Sequence, residues 1–134
     1  MQGYNLIVVF DKRRERVLLC RRRKEPYKGL LNFVGGKIEP GEEGLAAAYR
    51  ELREETGLTE ADISLFHFMD LTYYRGAPCR LEVYAGRLKG PAQVRGEENQ
   101  LIWQDAKEDM FDRTRFAGMG NMGHIMALLE QEDL

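Results

Sequence analysis

One 23-residue segment (residues 36–58) constrains the chain more than any other, because it combines a helix signal with a charge cluster that helices tolerate poorly. Its sequence is GKIEPGEEGLAAAYRELREETGL. Apolar residues recur every three or four positions, a period that predicts one buried helical face. The residues of that face are Leu45, Ala48, Tyr49, Leu52 and Thr56. Pro40–Gly41 breaks the chain just before. We predict a helix from Glu42 to Thr56, with Glu42 and Glu43 in its first turn, where the helix dipole favours negative charge.

Three glutamates of this predicted helix lie on one patch, well away from its buried face. Glu51, Glu54 and Glu55 are spaced i, i+3 and i+4, so their side chains converge. Like charges at this spacing destabilise a helix by roughly 0.2–0.5 kcal/mol per pair, and Arg50 offsets only part of that. Mg²⁺ is usually held by one or two carboxylates together with substrate phosphates, so a metal site explains the cluster. The alternative is a solvated acidic face without a ligand.

The wider spacing favours the metal site. A glycine is followed after five residues by a glutamate, and after seven more by Arg-Glu-aliphatic-x-Glu-Glu-x-Gly-aliphatic. The residues at these positions are Gly36, Glu42, Arg50, Glu51, Leu52, Glu54, Glu55, Gly57 and Leu58. This pattern is the Nudix box, and the chain resembles the Nudix hydrolases, with strands before and after the box that also suit the family.

The resemblance implies both a fold and a reaction. Nudix hydrolases form an α/β fold, an α/β/α sandwich around a mixed β-sheet. With Mg²⁺ (or Mn²⁺ as a substitute), they cleave a nucleoside diphosphate linked to another group. Carried onto this sequence, the implied metal ligands are Glu51, Glu54 and Glu55. Arg50 would orient these glutamates by ion pairing, with Glu42 as its own partner.

Two further roles follow from the resemblance. The flexible backbone of Gly35 and Gly36, next to Lys37, is expected to approach the metal and the phosphates closely. A general base is also expected, either a box glutamate or one from the loop before the last strand. We favour Glu97 over Glu98, because a glutamate six residues ahead of a tryptophan, here Trp103, recurs in MutT-type members.

The substrate that the resemblance implies is a nucleoside triphosphate, including an oxidised one such as 8-oxo-dGTP, cleaved to a monophosphate and pyrophosphate. The run NFVGGKIEPGE is similar to the MutT entry to the box, although Val34 replaces its proline. The cluster Arg21, Arg22 and Arg23 is expected to meet the triphosphate. Asn121 lies where MutT-type enzymes place a base-reading asparagine, although Gly120 replaces the preceding acidic residue. The alternative for Asn121 is a helix N-cap, and the alternative for the three arginines is a solvated surface patch without a ligand.

Other Nudix activities stay open from the sequence. Enzymes acting on dinucleoside polyphosphates tend to carry a tyrosine in the region of Tyr73 and Tyr74, so that activity, or hydrolysis of nucleotide sugars, is an alternative. ADP-ribose enzymes tend to carry a proline at position 74, which is tyrosine here. A non-catalytic nucleotide-binding module is an alternative of another class, but such modules usually lose box carboxylates, and none is lost here.

The rest of the chain predicts a single domain over residues 1–134. Strands are expected at residues 4–10, 17–20, 63–74, 80–88 and 101–103, a loop at 25–32, and a C-terminal helix at 122–131. Residues 104–119 have no clear pattern. Strands on both sides of a central helix indicate a mixed sheet covered by helices.

Composition limits the partners. Twenty basic residues against twenty-two acidic ones give a net charge of −2, which argues against duplex nucleic acid and anionic membranes. No aliphatic run approaches the roughly 20 residues of a membrane span, and no basic region starts a signal peptide. Cys20 and Cys79 are too few for a disulfide scaffold. The expected protein is a cytoplasmic monomer or homodimer that binds a small nucleotide.

Overall fold

The structure is a computed structural model that describes residues 1–96 and 98–134, and within that range it contains six strands and two helices. The strands are β1 (Gln2–Phe10), β2 (Arg16–Arg21), β3 (Leu31–Phe33), β4 (Phe66–Tyr73), β5 (Cys79–Arg87) and β6 (Gln100–Asp105). The helices are α1 (Gly44–Thr56) and α2 (Asn121–Leu129). Neither helix of this described part is long and apolar enough to cross a membrane.

All six strands belong to one sheet of mixed direction. The strand order is β3-β2-β1-β5-β4, and β6 pairs with β2. Strand β1 runs parallel to β5, with Gln2 opposite Cys79 and Phe10 opposite Arg87. The other pairs are antiparallel. The mixed sheet predicted from the sequence is therefore confirmed.

The two helices cover opposite faces of the sheet, because alternate side chains of a strand point to opposite sides. Along β1, Ile7 and Val9 pack in one apolar cluster with Ala48 and Leu52 of α1. Val8 and Phe10 belong to a second cluster, which includes Ile125 and Leu129 of α2. Full burial of an aliphatic side chain contributes roughly 1.5–3 kcal/mol, so both layers are well anchored. The α/β/α sandwich is confirmed.

Residues 34–38 run beside β1 and bring the box glycines to the sheet. The Ile7 N–H donates to the Val34 carbonyl at 2.8 Å, the Asn5 N–H to the Gly36 carbonyl at 2.8 Å, and the Ile38 N–H to the Gly3 carbonyl at 2.9 Å. This extended segment lies alongside β1 and leads directly into the approach to α1. The sequence did not predict this pairing, which depends on contacts about thirty residues apart in the chain.

Helix α1 begins two residues later than predicted. Glu43 is its N-cap and accepts hydrogen bonds from the backbone N–H groups of Leu45 and Ala46, both at 3.1 Å. Glu42 therefore lies before the helix, where its side chain bonds to the Glu39 N–H and to Arg50. The expectation that both glutamates occupy the first turn was wrong, because their carboxylates cap and brace the start instead.

The remaining elements differ from the prediction only in detail. Strand β3 lies largely in the expected loop, since three residues are too short to show a period, and it pairs with β2 from Leu19 to Arg21. The other strand bounds are within three residues of those predicted. Helix α2 begins at Asn121, after the N-cap Gly120, and ends at Leu129. Cys20 and Cys79 are both free thiols, and Cys20 is buried while Cys79 is partly exposed.

Candidate functional site

Arg50 of α1 forms a two-pronged ion pair with Glu42. Its Nε lies 2.6 Å from Glu42 Oε2 and its Nη2 lies 2.8 Å from Oε1. This is the contact that the sequence predicts. Hydrogen bonding to Arg50 lowers the pKa of the Glu42 carboxyl from 4.5 to about 2. The paired geometry fixes the guanidinium plane relative to the loop that precedes the helix.

The same guanidinium group donates to three further acceptors. Nη1 lies 3.1 Å from Glu51 Oε1 and 3.1 Å from Glu54 Oε2, and Nη2 donates to the Lys37 carbonyl at 3.1 Å. With the two bonds to Glu42, all five N–H donors of Arg50 have an acceptor. Arg50 is therefore the fixed point that joins two box glutamates to the loop at Lys37.

We expect Arg50→Lys to lower kcat about 10–100-fold, because an ammonium group retains the charge but not the planar fork that orients both carboxylates. Steady-state kinetics on a nucleotide substrate checks this. Arg53→Lys, an exposed arginine in the last turn of the same helix, is the matched control. Equal rates for the two variants would contradict the orienting role.

Glu55 occupies a more buried position on the next turn. Its Oε2 accepts a hydrogen bond from the Gly35 N–H at 3.0 Å. Burial raises the pKa of Glu55 from 4.5 to about 7, and the charges of Glu51, Glu98 and Glu54 add to this rise, while the Gly35 bond opposes it. Burial also raises the pKa of Glu51, against the opposing effect of Arg50. The box carboxylates are thus held close together at a free-energy cost.

These carboxylates share one pocket of about 390 Å³. Its lining residues are Cys20, Glu51, Glu54, Glu55, Glu98, Asn99 and Leu101. The pocket therefore brings the three predicted metal ligands together with Glu98, one of the two loop glutamates considered as a general base. Glu97, the other one, lies outside the described residues.

The chemistry of this pocket fits a hard divalent cation. Carboxylate oxygens are the donors that Mg²⁺ prefers, and a cation would relieve the repulsion that raises the pKa of Glu55. Within residues 1–96 and 98–134, however, no three His, Cys, Asp or Glu side chains are already arranged around one metal position. Arg50 holds Glu51 and Glu54, and Gly35 holds Glu55. Metal binding would require these side chains to reorient.

The cost of gathering the carboxylates predicts a pH-dependent stability. Because the folded-state pKa of Glu55 is about 7, above its ordinary 4.5, the metal-free fold loses stability as pH rises between these values. In the presence of a chelator at pH 8, we expect the free energy of unfolding of Glu55→Gln to exceed that of the wild type by on the order of 1–3 kcal/mol. Glutamine keeps an acceptor for the Gly35 N–H.

Thermal unfolding in EDTA at pH 5 and pH 8 measures this difference, which should shrink at pH 5. Exposed Glu60→Gln is the control and should leave the pH dependence unchanged. A Glu55→Gln protein that is less stable than the wild type at pH 8 would show that the Glu55 charge is not destabilising.

The two glycines of the box entry allow the loop to pass between β1 and α1. A Cβ on Gly35, whose φ is +149°, would lie 2.1 Å from the backbone oxygen of Asn5. A Cβ on Gly36 would lie 2.6 Å from the Glu51 carboxylate. The first clash is with backbone and the second with the end of a flexible side chain. These glycines therefore fit the loop to its protein neighbours, a constraint that the sequence did not reveal.

Gly36→Ala should therefore separate activity from stability. The new methyl group displaces the Glu51 carboxylate, so we expect kcat to fall about tenfold or more with little change in the unfolding midpoint. In Gly35→Ala the new methyl group meets the Asn5 backbone, which cannot move aside as a flexible side chain can. This variant should therefore be strongly destabilised. Kinetics and thermal unfolding on both variants test this contrast. A fully active Gly36→Ala enzyme would contradict the placement of Glu51.

Asn5 is a site residue that the sequence analysis missed. It is 1% exposed, and its Oδ1 accepts a hydrogen bond from the Gly36 N–H at 3.0 Å. Its Nδ2 is buried without a hydrogen-bond partner among the described residues. A polar residue in the apolar run YNLIVVF was the available signal. Together with the Asn5 backbone, this side chain fixes the position of Gly36.

Four of the predicted substrate residues lie in two other places. The Arg21 Nη1 donates to the Gly29 carbonyl at 3.0 Å and the Arg22 Nε to the Pro26 carbonyl at 2.6 Å, so both brace the loop after β2. Arg23 is exposed on the same loop. Asn121 is the first residue of α2 and not its N-cap, and its side chain bonds to Tyr73. None of these four residues lines the carboxylate pocket.

Curated proteins match part of this chain. An 8-oxo-dGTP diphosphatase of Escherichia coli is 38% identical over 58 residues, 42% of this chain and 45% of that protein. The chain spans less than half the length of the curated relatives it matches.

Solved structures share the fold over almost the whole chain. An Ap4A hydrolase of Caenorhabditis elegans in a binary complex has a TM-score of 0.78 at 21% identity, covering 97% of this chain and 96% of that one. A structure from a study of MutT from Aliivibrio salmonicida and Vibrio cholerae has a TM-score of 0.73 at 18% identity, covering 98% of both chains. At these identities the likeness shows the fold alone.

A family model matches most of the chain. The model described as the NUDIX domain covers residues 3–115, which includes the sheet, α1 and the whole box. Members of this family generally use divalent metal ions, in agreement with the carboxylate pocket on α1. The chain belongs to the Nudix family.

Proposed function

We propose that the protein is a Mg²⁺-dependent pyrophosphohydrolase that cleaves a nucleoside triphosphate to a nucleoside monophosphate and pyrophosphate. The observation that carries the proposal is the pocket in which Glu51, Glu54 and Glu55 meet beside Arg50. A site that gathers carboxylates at a cost in stability suits a ligand that brings positive charge.

The proposed roles follow from the positions of the side chains. Glu51, Glu54 and Glu55 hold the metal, with Mn²⁺ as a substitute for Mg²⁺. When bound, the metal supplies charge neutralisation at the phosphates and a more acidic water. Arg50 orients Glu51 and Glu54, and the Gly35 N–H orients Glu55. These contacts hold the carboxylates beside the pocket, and a bound metal would reorient them toward itself.

The proposed substrate contacts lie outside the carboxylate pocket. Lys37 is adjacent to the glycine pair and carries a cationic side chain suited to phosphate oxygens. Arg21 ends β2, and Arg22 and Arg23 follow it. The three arginines provide positive charge beside the loop that Arg21 and Arg22 brace. Asn121, at the start of α2, offers a donor and an acceptor for a base edge. Oxidised guanine nucleotides such as 8-oxo-dGTP are the first candidates.

A panel of nucleotides with Mg²⁺ and product identification by mass spectrometry tests the proposal. We expect pyrophosphate and a monophosphate from at least one nucleoside triphosphate, and no products in EDTA. Absence of pyrophosphate from every triphosphate would contradict the proposed substrate class. The same experiment in Mn²⁺ checks metal substitution.

Dinucleoside polyphosphates are the second candidate. The observation that favours them is the exposure of Tyr73 and Tyr74, 41% and 77%, which leaves both rings able to stack on a second base. In that case the panel yields a second nucleoside phosphate instead of pyrophosphate, and a nucleotide sugar likewise yields a sugar phosphate. Thermal stabilisation by a nucleotide without any product over hours would favour a binding module instead.

A further inference from the structure

A hydrogen bond joins the end of the sheet to the start of the second helix. Tyr73 is the last residue of β4 and Asn121 is the first residue of α2. The Asn121 Nδ2 donates to the Tyr73 hydroxyl oxygen. The two residues are 48 positions apart in the chain, so only the fold brings them together. Neither belongs to the carboxylate pocket, and no role described above uses Tyr73 in this way.

Asn121 is also held by the turn before α2. Its N–H donates to the Gly118 carbonyl at 3.1 Å, and a Cβ on Gly118 would lie 3.2 Å from the Asn121 Cβ. Gly118, Met119 and Gly120 have φ values of +86°, +54° and +95°. A methionine in this region of φ is uncommon, so the surrounding contacts must hold the turn in this one backbone conformation. Turn and tyrosine together leave the Asn121 side chain little freedom.

The chemical consequence concerns the two ends of the carboxamide. An asparagine side chain offers two N–H donors and one acceptor oxygen, which exchange places when the group rotates by 180°. With one N–H on the Tyr73 oxygen, the other N–H and the acceptor oxygen have a single orientation. Without the tyrosine hydroxyl, the carboxamide loses one of its restraints and can present either pattern more readily. Bases differ in their donor and acceptor patterns, so a fixed carboxamide discriminates better among them.

We propose that Tyr73 is a positioning residue that sets base specificity by fixing the carboxamide of Asn121. The inference rests on the proposed function only in taking Asn121 as the residue that contacts the base. Tyr73 acts through Asn121 and does not take part in phosphate cleavage. Its loss therefore changes which base is preferred more than it changes the maximal rate.

The test variant is Tyr73→Phe, which removes only the hydroxyl from a half-exposed ring. Tyr74→Phe, the more exposed neighbour, is the matched control. The readout is kcat/KM with Mg²⁺ for dGTP, 8-oxo-dGTP, dATP and dCTP. We expect the ratio between the best and the poorest substrate to fall about three- to tenfold in Tyr73→Phe, the effect of one lost hydrogen bond. The change should appear in KM, with kcat and the unfolding midpoint nearly constant.

A binding measurement separates this inference from the proposed function. Calorimetric titration with dGMP, 8-oxo-dGMP, dAMP and dCMP gives the same affinity ratio without any reaction. If no triphosphate is hydrolysed, the proposed function fails, while a monophosphate ratio that narrows in Tyr73→Phe still supports the role of Tyr73. An unchanged ratio in Tyr73→Phe, or a wild type that binds all four monophosphates equally, overturns the inference.

Discussion

Replacing Glu54 with glutamine should lower kcat about 10³-fold and leave the fold intact, because the side chain is a metal ligand in this account and contributes little to packing. The Glu54 side chain is 56% exposed, and its contact with Arg50 is a surface ion pair. Such pairs typically contribute well under 1 kcal/mol, so the unfolding midpoint should barely move. Glutamine has nearly the same shape but lacks the negative charge that a divalent cation requires.

The control for Glu54→Gln is Glu60→Gln, an exposed glutamate that lies outside the helix and the pocket. Rates with nucleoside triphosphate and Mg²⁺, together with thermal unfolding, distinguish a lost ligand from a damaged fold. A Glu54→Gln enzyme as active as Glu60→Gln would remove Glu54 from the metal site.

Glu98→Gln is expected to lower kcat about 10²-fold, the usual contribution of a positioned general base. Glu98 lines the carboxylate pocket, and its charge is one of those that raise the pKa of Glu55, so it lies close to the proposed metal ligands. The KM for the nucleotide should change little, because a base acts on the water and not on the ligand.

Glu97→Gln is the comparison that the sequence requires, since the spacing to Trp103 favours Glu97 as the base. A large loss of kcat in Glu97→Gln together with a near-normal Glu98→Gln would assign the base to Glu97. Near-normal rates in both single variants would assign the general base to a box glutamate. In that case the variant with Glu97→Gln and Glu98→Gln together should also retain activity.

The sequence predicted the parts of the site that depend on local spacing. The three glutamates lie on one helix, so a period of 3.6 residues is enough to place Glu51, Glu54 and Glu55 together. The pair between Glu42 and Arg50 was implied by the family resemblance, because Glu42 lies outside the helix. The α/β/α sandwich followed from the family resemblance. Even the start of α1 differed by only two residues, because a glutamate replaced the usual short N-cap side chain.

What the sequence did not predict depends on contacts between distant segments. The extended path of residues 34–38 beside β1 requires Asn5, and no periodicity links the two. The hydrogen bond between Tyr73 and Asn121 likewise forms only when the sheet and α2 are assembled. The glycine pair was assigned to phosphate approach, yet the atoms that exclude a side chain there belong to Asn5 and Glu51.

In the proposed site, the carboxylates beside Arg50 hold a divalent cation. A crystal structure with Mn²⁺ and a nucleoside monophosphate, analysed by anomalous scattering, tests it most directly. We expect one or more anomalous peaks in the carboxylate pocket, about 2.0–2.3 Å from oxygens of Glu51, Glu54 or Glu55. A pocket without a peak, with Glu51 and Glu54 still bound to Arg50 beside the nucleotide, would contradict the account.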